Sequence, residues 1–162
     1  MSKIIIKSIL VYFILVYISA DDVDAEIEIT SNTMEWKREE NVAIAVGNAK
    51  AVQNNRVLIA DKIVVFFTEN RDKEEIYKLD ASGNVKFKKE DQVATGESAT
   101  YLIKNERIII KGNVKLEKDN SIMLGEELSI DLKNSSSKLI SNKDSGKVKV
   151  KYNTEKVNNE KN

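Results

Sequence analysis

The chain has 162 residues, 41% hydrophobic and 32% charged, with 26 basic against 26 acidic side chains and no Cys, His or Pro. That length and balance suit one domain with a packed core. The missing residue types take away thiol chemistry, most transition-metal sites and the usual general base, and the even charge gives no whole-protein field for nucleic acid.

The first segment in chain order is MSKIIIKSILVYFILVYISA. Lys3 and Lys7 precede an apolar run over residues 9–18, and Ser19-Ala20 closes it. This is the layout of a secretory signal peptide over residues 1–20, cleaved after Ala20. The run falls short of the ~20 apolar residues that a membrane span needs. An uncleaved anchor is the second reading of the same residues. Export without Cys leaves the mature domain, residues 21–152, to stand on its core alone.

An edge-strand candidate, EIEITSNTMEW, follows from Glu26. Then the chain writes GNAK at Gly47, GNVK at Gly83 and GNVK at Gly112. Residues 83–105 align with residues 112–134 without a gap, at an offset of 29. Polar matches include Lys89/Lys118, Gly96/Gly125 and Glu97/Glu126; apolar ones include Phe87/Leu116, Tyr101/Ile130 and Ile103/Leu132. The copy from Gly47 is in register through Val57, Ile59, Ile63, Val65 and Phe67, has Ala60 in place of the second Gly, and is lengthened by seven residues around ENRDKEE. Such a period marks stacked supersecondary units that cannot bury an apolar face alone.

Within each unit the apolar period is two, which predicts strands with one apolar face. The clusters QNNR, KKEDQ, KNER, EKDN and KNSSS predict the hairpin turns between them. Gly83, Gly96, Gly112 and Gly125 fall inside the strands, where Gly marks a bulge or bend. The expected architecture is a stack of bent hairpins enclosing an apolar interior between two facing layers. Asn48, Asn84 and Asn113 are expected to bond local backbone at these corners. Asp61, Glu97 and Glu126 share a repeat position just past the corner; a cation or acid-pair site and solvated corner residues are the two readings. No P-loop motif and no pairing of nucleophile with base is visible, so neither nucleotide hydrolysis nor any other catalysis is expected.

The stretch ADKIVVFF…IYKLDASGNVKF…ATGESATYLIKNERIIIKGNVKLEKDNSIMLGEELSIDLKNSSSKLIS resembles the OstA-like, or LptA, family of periplasmic lipopolysaccharide-transport proteins, over about residues 26–152. The resemblance implies an all-β, twisted, half-open antiparallel β-jellyroll without cofactor or metal. It implies a periplasmic bridge that shields the acyl chains of lipopolysaccharide, at its lipid A moiety, between inner and outer membranes. The groove would be lined by Ile63, Val65, Phe67, Val85, Phe87, Tyr101, Ile103, Val114, Leu116, Ile130 and Leu132. The partners implied are an inner-membrane LptC-like protein, an outer-membrane LptD-like protein and further copies of the chain head to tail.

The edges for such partners are Ile27 and Ile29 at the start, and Val148, Val150 and Tyr152 at the end, where they alternate with Lys147, Lys149 and Lys151. Residues 153–162, NTEKVNNEKN, read as a disordered polar tail. Two alternatives remain: a membrane-anchored LptC-like component of the same pathway, and a structural, self-assembling β-repeat protein with a filled core.

Overall fold

The computed structural model describes residues 26–69, 74–141 and 146–152. The expected signal peptide and the polar tail lie outside the described residues, as does part of the seven-residue insertion. The strands are β1 (Glu28–Thr30), β2 (Thr33–Lys37), β3 (Val42–Gln53), β4 (Arg56–Phe67), β5 (Ile76–Lys89), β6 (Gln92–Leu102), β7 (Arg107–Lys118), β8 (Ser121–Asp131), β9 (Ser136–Ile140) and β10 (Lys149–Tyr152). They form one antiparallel sheet in which β3 to β8 follow chain order. Both β1 and β2 pair with β3, and both β9 and β10 pair with β8, so each edge of the sheet is formed by two short strands end to end along one long one.

The sheet is one hydrogen-bonded surface folded into two layers. The fold line runs through the corners, where the register slips between Val46 and Ala49, between Ser82 and Val85, and between Lys111 and Val114. Gly47, Gly83 and Gly112 sit there at φ +80, +77 and +82, each followed by an Asn at φ +48, +47 and +47. Two successive left-handed residues turn the strand, and Gly followed by Asn is the pair that tolerates this at least strain. The repeated GN is therefore the crease of the sheet.

Two expectations at the crease are refined. Gly96 and Gly125 lie where β6 and β8 pass from one layer to the other, but they are not left-handed corners. They lie opposite Val85 and Val114 on neighbouring strands, outside the positive-φ set. A Cβ on Gly96 would meet Ile110 Cγ2 at 2.5 Å and the Lys111 carbonyl oxygen at 3.0 Å; one on Gly125 would meet Leu139 at 2.8 Å and the Ile140 carbonyl oxygen at 2.9 Å. Their missing side chains make room for the next strand as it turns. The corner Asn side chains also reach further than local backbone: Asn84 Nδ2 donates to the Asp61 carboxylate at 2.8 Å, and Asn113 Nδ2 to Glu97 at 2.5 Å. Asn32 occupies the matching place beside Gly47, donating its backbone N–H to the Gly47 carbonyl at 2.9 Å.

One layer holds the limbs of the strands around residues 42–46, 62–67, 76–82, 98–102, 107–111 and 127–131. The other holds residues 49–53, 56–60, 85–89, 92–95, 114–118 and 121–124. Inward residues alternate with outward ones along every limb. In the first layer one inward row reads Ala43, Val65, Leu79, Tyr101, Ile108 and Ile130 across successive strands, all buried. In the second, a row runs from Ile29 through Ala51, Leu58, Phe87, Ala94, Leu116 and Met123 to Val150, from one edge of the sheet to the other. No buried polar or charged residue interrupts the core among the described residues.

Candidate functional site

The interior gathers most of the residues expected to line a groove. Ile63, Val65, Val85, Phe87, Tyr101, Val114, Leu116, Ile130 and Leu132 are all buried between the layers, and Phe67 and Ile103 are half-buried against them. They form one cluster with the buried alanines of β3, β4, β5 and β6. A void bounded by Leu58, Leu79, Phe87 and Tyr101 measures about 10 Å³, the space of one water-sized sphere.

Opposite the crease, the free ends of the two layers face each other along a mouth. First-layer turns there are tied in series: Phe67 N–H donates to the Asn41 carbonyl at 3.0 Å, Ile103 to Tyr77 at 3.0 Å, and Leu132 to Glu106 at 2.8 Å. Polar side chains cross from the second layer. Arg56 donates to the Tyr101 hydroxyl at 2.9 Å and to Glu106 Oε1 at 2.7 Å, and Tyr101 donates to Gln53 Oε1 at 2.5 Å. Lys89 Nζ reaches the Leu132 carbonyl at 3.4 Å and Ser135 Oγ at 3.2 Å. Burial works against the Arg56 charge, but the bonds to Glu106 and Tyr101 outweigh it and hold the guanidinium above its ordinary value. Burial likewise pushes the Tyr101 phenol up, against the pull of Arg56.

Sequence reasoning passed over Arg56, Gln53, Lys89 and Glu106. The signal was present for two of them: Arg56 has the inward parity of Leu58 and Ala60, and Lys89 that of Val85 and Phe87. A cation at an inward position on a strand end reaches across the opening while its stem packs inside.

At the β2–β4 end of the mouth, Trp36 and Phe67 stack with centroids 4.9 Å apart and planes 21° apart. With Arg38, Asn41 and Glu74 they border an open depression of about 360 Å³. Trp36 is 51% exposed, an edge aromatic. Asp61 and Glu97 hold the crease as acceptors for Asn84 and Asn113, and Glu126 takes the same position on β8. Among the described residues no group of three or more His, Cys, Asp or Glu side chains is arranged to hold a metal ion.

The expected edge residues lie at the two ends of the sheet. Ile29 is on β1 and packs on the core; Val150 and Tyr152 are on β10; Ile27 and Val148 directly precede those strands. Val148, Val150 and Tyr152 are exposed. Among the described residues no helix is long and apolar enough to cross a membrane.

The fold matches the crystal structure of LptH, described as the LptA-homologous periplasmic component of the lipopolysaccharide transport device of Pseudomonas aeruginosa, with a TM-score of 0.70 at 12% identity over 81% of this chain and 97% of that one. An uncharacterized protein of Rhizobium meliloti (strain 1021) is 32% identical over 93 residues, 54% of this chain; the chain spans about half the length of that relative. The family model for the LptA/(LptD N-terminal domain) LPS transport protein matches residues 28–136, from β1 to the first residue of β9. With its repeat and its creased sheet from β1 to β8 inside that span, the chain belongs to the LptA/LptD N-terminal domain family of LPS transport proteins.

Proposed function

We propose that the protein is a periplasmic bridge component that shields the acyl chains of lipopolysaccharide on the way from inner to outer membrane. The observation that carries this reading is the apolar row running unbroken from Ile29 on β1 to Val150 on β10. It crosses the strands, so it continues into whatever adds to either edge. Each acyl CH₂ kept from water is worth about 0.8 kcal/mol, or on the order of 10 kcal/mol for a chain of a dozen carbons.

Entry requires the layers to part. The crease is the hinge side, and the mouth is held by Arg56 with Tyr101 and Glu106 and by Lys89 with Ser135. Acyl chains replace interlayer contacts as these bonds open. Copies of the chain, or LptC-like and LptD-like partners, add through β1–β2 and β9–β10, whose outer backbone groups suit strand addition. The export signal in residues 1–20 supports the periplasmic assignment.

Paired substitutions test this. Ile103 is half-buried in the turn at the mouth, and Ile130 is 1% exposed. Ile103→Glu can turn its charge to water, so it is expected to fold and lose lipopolysaccharide binding. Ile130→Glu buries an unpaired carboxylate and is expected to unfold the domain. Lipopolysaccharide binding by the wild type, measured by a shift on native gels and by photo-crosslinking from position 103, is the reference. No binding by the wild type would instead favour the filled, structural β-repeat.

A further inference from the structure

The Lys that ends each GNxK motif takes no part in the interior or the crease. Lys50, Lys86 and Lys115 each stand between two buried residues, so they project from the outer face of the second layer. Lys50 is opposite Ile59, Ile59 opposite Lys86, Lys86 opposite Thr95, and Thr95 opposite Lys115. Lys115 is opposite Leu124, and Leu124 opposite Lys149 of β10. The result is a single file of four lysines, one on every second strand, perpendicular to the strands. Strand spacing sets the interval at about 10 Å.

The file is a line of charge and not a basic patch. The adjacent outward row carries Lys88 and Lys151 against Glu28 and Glu117, and sums to zero. On the outer face of the other layer, lysines pair with acids at Lys78 with Asp80 and at Lys111 with Glu127. A line of evenly spaced cations fits a linear polyanion with the same repeat. A bilayer would meet the whole face, where half the rows are neutral. Polyphosphate carries its charges far more densely than one per 10 Å. In an extended β-linked glycan, successive disaccharides repeat on that length, and the apolar faces of the sugars can lie on Ile59 and Leu124 between the lysines.

We propose that this lysine file docks an extended acidic glycan carrying one anionic group per disaccharide, laid along the axis on which the strands stack. The surface is on the far side of the second layer from the acyl path, so it stands independently of the lipid reading. Glu117 pairs with Lys115 within the face. Lys115 holds the Glu117 carboxyl below its ordinary value, first by a hydrogen bond and then by its charge. The glycan's anion takes the place of this internal one.

The test uses the full chain and hyaluronan oligosaccharides, which carry one carboxylate per disaccharide, with fluorescence anisotropy as the readout. Affinity is expected to rise up to about four disaccharides, the length of the file, and then level off, and to fall with added salt. Lys86→Gln with Lys115→Gln should weaken binding about tenfold or more. Glu117→Gln should strengthen it, and Lys62→Gln on the opposite face should leave it unchanged. Circular dichroism and lipopolysaccharide binding of the double variant separate this surface from the acyl path. Absent binding at four disaccharides overturns the proposal. So does equal affinity for length-matched polyphosphate, or binding confined to phosphatidylglycerol vesicles.

Discussion

At the scale of single residues, the crease rests on conformations that few side chains accept. Gly83 and Gly112 have positive φ, and a Cβ on either would press into the Asp61 or Glu97 side chain that the following Asn needs. Gly83→Ala and Gly112→Ala are each expected to cost more than about 1 kcal/mol, since strain adds to the displaced acceptor. Gly→Val should cost more again, because a branched Cβ tolerates positive φ least. Gly146 is the control: its φ is +99, but a Cβ there meets nothing within 4 Å among the described residues. Urea unfolding midpoints order the series, and wild-type midpoints for both crease variants would remove the strain argument. The phenol of Tyr101 gives a second residue-scale expectation. Its pKa is raised in the fold, so the folded state holds this proton more tightly than the unfolded chain. The stabilisation is present below the ordinary tyrosine value of about 10 and is lost as pH climbs from there through the raised value. Unfolding free energy should decline over that alkaline window, with the decline reduced in Tyr101→Phe.

At the scale of elements, the edges differ from the interior in what a proline does to them. Along β10, successive residues turn their backbone N–H alternately toward β8 and toward the outside. Of Val150→Pro and Lys151→Pro, one removes an outward donor and the other breaks the pairing with β8. The outward variant is expected to keep the circular dichroism of the wild type while abolishing concentration-dependent association in size exclusion. Association by both variants would place the joining edge elsewhere. The strands themselves were legible in the sequence because their alternation is strong: Ile63 and Val65, Leu128 and Ile130, Val114 and Leu116. The inward face of β3 was not, because Ala43, Ala45, Ala49 and Ala51 carry too little apolar contrast to stand out. The different parts of Gly83 and Gly96 were not legible, because a sequence shows a Gly in a strand without showing whether it needs positive φ or makes way for a neighbouring strand.

At the scale of the whole molecule, the repeat period predicted which residues stack within a layer but not which ones meet across the gap. Tyr101 and Ile130 stand in one row, with Ile108 between them, because they are one period apart. Arg56 on β4 meets Glu106 beyond β6, and Lys89 on β5 meets Ser135 beyond β8. That displacement comes from the twist of the sheet, which carries the free ends of one layer past those of the other. Twist accumulates from backbone sterics and leaves no periodic trace in the residues. The family match and the fold therefore follow from what repeats, while the closure of the mouth follows from what does not.

The order of β3 to β8 in the sheet, which is their order in the chain, governs how the protein reaches its native state. Each of these strands pairs with the one made just before it, so most backbone pairings span a single hairpin and close short loops. Folding can begin at any hairpin and spread to both sides without waiting for distant segments to meet. Removing residues 83–111 would join Ser82 to Gly112 and present the same crease one unit later. The shortened chain is expected to refold cooperatively, with its denaturant dependence reduced in proportion to the surface it no longer buries.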